Sequence, residues 1–273
     1  MSISATRIIS HTVAAVETAT ACELLATRSG FSKGKIKDAM NKGAVWLVPP
    51  TGPMKRLRRA TATLNAGEKI ELHYNEEVLA KEVPMSVLVA DENHYSVWFK
   101  PSGVLAQGTM EGDHCALLRQ VELHFKVQRP VFLVHRLDRE ASGLMLVAHS
   151  QNAAARLSAL FQNNAVYKRY WVQVRGQLMA AQGVIDAPLD GKDAHTEYTV
   201  ESYDPATDRS ILSVVINTGR LHQIRRHLDG LNHPVIGDPK YGTGNKSPAG
   251  LQLNAVQLRF QCPFTDKEMD FSV

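Results

Sequence analysis

Apolar and polar positions along this chain switch repeatedly between a helical period and a period of two, and the switches mark its elements. ATACELLATR (19–28) reads as a short helix, and KGKIKDAMNKG (33–43) as a second, with Ile36, Ala39 and Met40 on one face, Ser32 as cap and Gly43 as stop. The run AVWLV (44–48) and the alternation of Ile70 and Leu72 after Gly67 predict strands. Asn75 to Pro84 is polar, acidic and ends in proline, the composition of a linker, so two domains are expected, 1–80 and 81–273. Beyond it, VLVADENHYSVWF (87–99) predicts two strands around an acidic turn, followed by a Lys100-Pro-Ser-Gly loop. Ser150 caps a helix through Gln162 with Leu157, Leu160 and Phe161 as its core stripe. In YKRYWVQVRG (167–176) the period is two, so Tyr170 shares the buried side with Val172 and Val174. ILSVVI (211–216) is a buried strand. Thr218 or Asn217 then caps a helix whose inward stripe is Leu221, Ile224 and Leu228, with Arg225 bordering that face and Arg226 and Asp229 turned away.

At the centre of the chain two apolar runs, Val131–Val134 and Leu144–Ala148, have the length of buried strands and enclose His135–Gly143, which concentrates Arg136, Asp138, Arg139 and Glu140 before a glycine exit. A charged loop held at both ends is either a reactive loop presented to a cleft or a solvated hairpin with surface ion pairs. A guanidinium on the border of a buried face needs a partner, and a carboxylate such as Asp138 could supply a bidentate bond to Arg225.

Composition narrows the class. The 273 residues, 44% hydrophobic, suffice for one or two domains. Three separated cysteines in no CxxC pair suggest neither a disulfide framework nor a zinc ribbon and fit a reducing cytoplasm. No run of eighteen apolar residues predicts a membrane span, and the early apolar residues are interrupted by His11, Glu17 and Glu23, unlike a secretory signal. Charge is uneven: Arg28, Lys33, Lys35, Lys37, Lys42, Lys55, Arg56, Arg58 and Arg59 face one acid, Asp38, whereas residues 85–273 balance 19 basic against 19 acidic side chains. Such a basic end on a neutral body suggests a polyanion gripped through phosphates, the alternative being a lysine-rich solubilising face. GFSKGK has too few residues between its glycines for a phosphate-binding loop, so no nucleotide cofactor is expected. Eleven scattered histidines without HExxH give no metal site.

The wording of the central stretch is specific. HRLDREASG resembles the signature of the RluA family of RNA pseudouridine synthases, HRLDRxTSG, with Ala141 in place of the usual threonine. The Lys100-Pro-Ser-Gly loop, Lys168 and Tyr170 in the K-x-Y strand, TGRLHQIRRHL and HPVIGDPKYG are similar to further motifs of that family in the same order, with Leu221 where threonine is usual. The resemblance implies an α+β fold with a mixed, largely antiparallel sheet and flanking helices. It also implies isomerisation of uridine in structured RNA, ribosomal or transfer, without cofactor or metal. It assigns Asp138 as nucleophile, Arg225 as its partner, Tyr170 against the base and Arg136 as the wedge that replaces a flipped base; Arg139, Lys168, His222 and Gln223 are expected to touch RNA. Residues 17–74 resemble the small αL RNA-binding module of ribosomal proteins, with Lys33, Lys35, Lys37, Lys55, Arg56, Arg58 and Arg59 as its RNA contacts and a longer loop, Val48-Pro-Pro-Thr-Gly, where Asn-Gly is usual. The other function compatible with these residues is a non-catalytic RNA-binding or ribosome-assembly protein on the same scaffold. A monomer is expected.

Overall fold

The computed structural model describes residues 5–14 and 18–273; Glu17, where the expected module begins, lies outside the described residues. Two compact units form. One runs to Val83 and takes in Gln107–Leu123, and the other comprises Pro84–Ala106 and His124–Val273.

The first unit is built from β1 (Arg7–Thr12), α1 (Ala21–Ser29), α2 (Lys33–Asn41), β2 (Val45–Val48), β3 (Lys55–Arg56), β4 (Lys69–Tyr74) and α3 (Glu76–Leu79). Its strands form an antiparallel sheet in the order β1-β4-β2-β3. Thr20 and Glu23 close a capping box on α1, and Ser32 Oγ accepts the Lys35 N–H to start α2. Ile36, Ala39 and Met40 are buried with Leu25, Ile70 and Leu72 in one core. The polar stretch after Tyr74 is not the extended linker its composition suggests. Asn75 caps α3 by accepting the Val78 N–H, and Leu79 is buried in that same core.

The division expected after residue 80 also omits a piece. Gln107–Leu123 belongs with the first unit because Asp113 accepts from Arg56 Nε at 3.0 Å and pairs with Arg58, while Trp46 Nε1 donates to Met110 O at 2.9 Å. No hydrophobic period announces these polar ties.

The second unit holds β5 (Val87–Asp91), β6 (Tyr95–Lys100), the end of α4 (Leu117–His124), β7 (Phe132–Leu133), β8 (Ser142–Ala148), α5 (Gln151–Gln162), β9 (Tyr167–Arg175), β10 (Gln182–Ile185), β11 (Thr196–Asp204), β12 (Arg209–Ile216), α6 (Gln223–Gly230), β13 (Leu253–Gln261) and β14 (Glu268–Ser272). The sheet order is β10-β11-β12-β9-β13-β8-β6-β5, with β14 on β13 and β7 on β8. Every pairing is antiparallel except β13 with β8, so the fold is α+β with the mixed, mostly antiparallel sheet the resemblance implied. Two apolar clusters fill it. One joins Tyr95, Leu144, Leu146, Leu157 and Phe260 around α5; the other joins Val172, Val174, Leu212, Val214, Ile224 and Leu228 around α6.

Two local expectations change in a way that bears on the site. The run Val131–Val134 contributes only the two-residue strand β7, because one edge of β8 is shared: β13 takes Ser142 and Gly143, and β7 takes Val147 and Ala148. Between these partners the Leu146 N–H would be orphaned, and His135 Nε2 accepts it at 3.0 Å. Gly143, at φ 124°, has no alternative, since a Cβ there would run into the backbone of Ala255 on β13. The second change is at α6. It starts at Gln223 with His222 in the left-handed region and no side-chain cap from Thr218 or Asn217. Gln223 Oε1 accepts from Thr218 Oγ1 and the Arg220 N–H, which folds the preceding residues into a turn and leaves Leu221 58% exposed, off the inward stripe.

Candidate active site

Asp138 lies on the loop between β7 and β8, and Arg225 comes from the first turn of α6. Arg225 is buried, and its Nη1 donates to Asp138 Oδ2 at 2.8 Å. The remaining fork is taken by Asp238, which is fully buried: Nε and Nη2 donate to its two oxygens at 2.7 and 2.8 Å. Asp238 is itself fixed by the Lys240 and Tyr241 N–H groups at 2.8 and 3.0 Å. One guanidinium therefore bridges two carboxylates, and three N–H bonds set its plane. Burial opposes both charges. The mutual pairing prevails, raising the Arg225 pKa and holding the Asp238 carboxyl below its ordinary value.

Asp138 is only about one-fifth exposed and lines a cavity of about 270 Å³ together with Tyr170, Ile216, His222, Arg225 and Leu253. His222 Nε2 stands 3.8 Å from Asp138 Oδ1, and its Nδ1 bonds the Tyr241 hydroxyl at 3.0 Å. Tyr170 rises from β9 beside Val172 and Val174; burial, and then the nearby Asp138 charge, push its phenol pKa upward, so it stays protonated at neutral pH. Arg136 is exposed at the cavity mouth and Leu221 sits on its rim.

The loop carrying Asp138 is clamped from beneath by Lys100. This fully buried ammonium donates to the carbonyls of Ala141 at 2.6 Å, Val104 at 2.8 Å, Pro101 at 3.1 Å and Arg139 at 3.4 Å. Burial brings its pKa down to about 8, opposed by the Asp138 and Glu140 charges. The residue in the threonine position, Ala141, is buried; its N–H donates to Asp138 O at 3.2 Å, and its carbonyl is the shortest Lys100 contact. The loop bonds here are thus made by backbone atoms that alanine keeps.

Other expected site residues are distributed differently. Gln223 is buried with its amide fully used, accepting from Thr218 and Arg220 and donating to His195 O and Thr196 Oγ1. That leaves no group for RNA, because two acceptor and two donor positions are its whole capacity. Arg139 is exposed and pairs with Glu140 at 2.8 Å. Lys168 is buried, its ammonium on the carbonyls of Asn217 and Thr218 at 3.3 and 3.4 Å. In the first unit, Lys33 pairs with Glu23, Lys35 lies over Phe31 and Tyr74 near Glu76, and Arg56 and Arg58 are tied by Asp113. Lys37, Lys55 and Arg59 are exposed.

Sequence reasoning missed the roles of Asp238 and Lys100. For Asp238 the available signal was Arg225 itself, since a buried five-donor fork asks for more than one carboxylate.

A carboxylate paired with a buried arginine on the wall of a nucleoside-sized cavity is an arrangement capable of nucleophilic or base chemistry. Comparison with known proteins names the reaction. The family described as RNA pseudouridylate synthase matches residues 94–229. An RNA pseudouridine synthase of Aquifex aeolicus (strain VF5), named as uncharacterized, is 31% identical over 277 residues, 89% of this chain and 85% of the relative. The dual-specificity RNA pseudouridine synthase RluA of Vibrio vulnificus (strain CMCP6) is 30% identical over 68% of this chain and 82% of its own. Among solved structures, human RNA pseudouridylate synthase domain containing 4 superposes with a TM-score of 0.57 at 26% identity, over 68% of this chain and 87% of that one. The chain belongs to the RluA family of RNA pseudouridine synthases and is an isomerase of uridine in RNA.

Proposed function

We propose that Asp138 is the catalytic carboxylate of this isomerase and that it acts on a uridine flipped out of a structured ribosomal or transfer RNA. The observation that carries this is the unequal use of its two oxygens. Asp138 lines the cavity; its Oδ2 accepts from Arg225, while Oδ1 accepts no hydrogen bond among the described residues and has His222 Nε2 at 3.8 Å. The reaction breaks the C1′–N1 bond, turns the uracil, and joins C5 to C1′; the C5 proton is lost and N1 gains one. Asp138 serves this either as nucleophile at the sugar or as the base that starts elimination there. Arg225 keeps it aimed. Tyr170, a neutral phenol, stands against the base to stack or hydrogen-bond, and Arg136 at the mouth occupies the gap left in the RNA stack. The basic surface of the first unit, with Lys37, Lys55 and Arg59 exposed, supplies phosphate contacts.

The test is carbodiimide mapping of pseudouridine in ribosomal and transfer RNA from cells with and without the protein, followed by turnover on the mapped RNA. Asp138→Asn is expected to abolish product while leaving RNA affinity within about twofold, because one partly exposed charge is a small part of a phosphate-dominated contact. Product formed at an undiminished rate by that variant would overturn the assignment.

A further inference from the structure

A second cavity, of about 420 Å³, adjoins the first and shares Arg136, Tyr170, Ile216, Gly219 and Arg220 with it. The proposed chemistry at Asp138 uses none of its remaining walls. Pockets of roughly 300–1,000 Å³ are the size that holds a small organic ligand, so this one has room for more than water.

Its lining is an unusual set. Lys168 is a buried ammonium whose only hydrogen bonds among the described residues are to two backbone carbonyls, with no carboxylate paired to it among those residues. Burial alone brings its pKa down to about 8, with no anion opposing the shift. A buried cation without a counter-charge is costly, and an anion entering the cavity would relieve that cost. Arg136 and Arg220 add positive charge on the shared wall, where Arg220 Nε is held by Asp193 O at 2.8 Å. On another side His135 and Phe161 stack with centroids 4.2 Å apart and planes at 14°. His135 is held neutral by burial, its pKa lowered to about 3; with Nε2 accepting from Leu146, its proton sits on Nδ1, for which no acceptor is found among the described residues. The side-chain amides of Gln162 and Asn164, also in the lining, have no hydrogen-bond partner among the described residues.

We propose that this cavity is a second nucleotide subsite, holding the RNA residue next to the target uridine with its phosphate on Lys168 and its base against the His135–Phe161 stack, read by Gln162 and Asn164. An uncompensated cation, an aromatic surface and unused amide edges are together the complement of one phosphate, one stacking face and one hydrogen-bonding base edge. The inference rests on the Asp138 pocket being where the target uridine reacts. It makes the pair of cavities a reader of two adjacent nucleotides, so sequence preference would come from the neighbour as well as from the uridine.

The experiment uses the full chain and a synthetic hairpin carrying the mapped uridine, made with a methylphosphonate linkage, or with an abasic residue, on the 5′ or the 3′ side of the target. On one side the uncharged linkage is expected to lower the wild-type kcat/KM about tenfold or more, the usual effect of losing a charge-assisted hydrogen bond. Lys168→Met should show the same loss on the charged hairpin and little further loss on the uncharged one. The abasic neighbour should cost the wild type about tenfold and Gln162→Ala/Asn164→Ala little, that variant being already impaired on the intact hairpin. A purely structural lysine would give losses that multiply. Equal sensitivity of wild type and Gln162→Ala/Asn164→Ala to the abasic neighbour would overturn the subsite even if Lys168→Met failed to fold, since both amides are on exposed residues. Turnover that depends on Asp138 but ignores both neighbours removes only this inference; turnover that survives Asp138→Asn removes the reading beneath it.

Discussion

Removing the Arg225 charge should destabilise the protein far more than removing the Asp138 charge it is paired with, although both changes break the same bond. The reason is what each leaves behind. Arg225→Met strands the fully buried Asp238 carboxylate without its paired guanidinium, and taking one partner from a buried pair costs about 3–5 kcal/mol. At about 2–4 °C per kcal/mol for a folding unit of this size, the melting temperature should fall by roughly 6–20 °C. Asp138→Asn leaves Arg225 bonded to Asp238 through two N–H groups and changes a charge that is partly in water, which is worth about 1 kcal/mol or less, a shift of roughly 2–4 °C. Arg225→Met/Asp238→Asn removes both buried charges and should recover at least half of the lost stability while remaining inactive. Melting followed by circular dichroism at pH 7.5, beside tritium release from RNA labelled at uridine C5, separates the two effects. An Arg225→Met protein melting within about 2 °C of wild type, or an Asp138→Asn protein melting as low as Arg225→Met, would refute the reasoning.

Three further outcomes are expected. Lys100 has a folded pKa of about 8 against an unfolded value of about 10.4, so between those pH values the unfolded chain holds a proton the folded chain lacks, and native stability rises with pH across the window. Urea midpoints at pH 7.5 and 9.5 should therefore diverge more for wild type than for Lys100→Met; equal increments would show that the lysine is not perturbed. Lys37→Glu/Lys55→Glu/Arg59→Glu should flatten the dependence of log affinity on log salt by about 0.7–0.9 for each phosphate the face no longer grips, and an unchanged slope would mean that this face does not meet RNA. These charge reversals are a cleaner probe than deleting residues 1–80, which would strip Asp113 of Arg56 and Arg58. Gly143→Ala should cost more than the roughly 1 kcal/mol of an ordinary left-handed glycine, because its Cβ meets the β13 backbone; near wild-type solubility and melting would contradict the parallel β8–β13 contact.

What could be read in the sequence follows from where each residue's partners lie. Tyr170 was legible because a period-two strand assigns its side by way of Val172 and Val174, two and four residues away. Arg225 was legible in the same manner, from Ile224 and Leu228 on its own helix. Asp238 was not. Gly-Asp-Pro is the composition of a turn, and only the approach of α6 turns its carboxylate into half of a buried ion pair. Lys100 fails for the same reason, since four carbonyls from two loops surround an ammonium that reads locally as a strand end before proline. Leu221 shows the opposite error. Helical spacing was extended one turn too far, because the Gln223 side chain replaces an ordinary cap and ends the helix early at its N-terminus. The attachment of Gln107–Leu123 to the first unit rests on Asp113 and on backbone bonds, neither of which leaves a periodic trace.

Arg225 and Asp238 also explain how the carboxylate proposed as catalytic can be aimed without being buried. Two N–H bonds to Asp238 fix the plane of the guanidinium, so the third, to Asp138 Oδ2, has one direction in which to point. Turning the guanidinium away from Asp138 would break two bonds inside the core to release one at its edge. The cost of the arrangement therefore falls on Asp238, which is fully buried, and Asp138 is left partly exposed on the cavity lining. The sequence motifs around Arg225 and Asp238 are then two halves of one device, a rigid donor for the charged loop, and the loop needs only the Lys100 clamp from below to hold its own side of the contact.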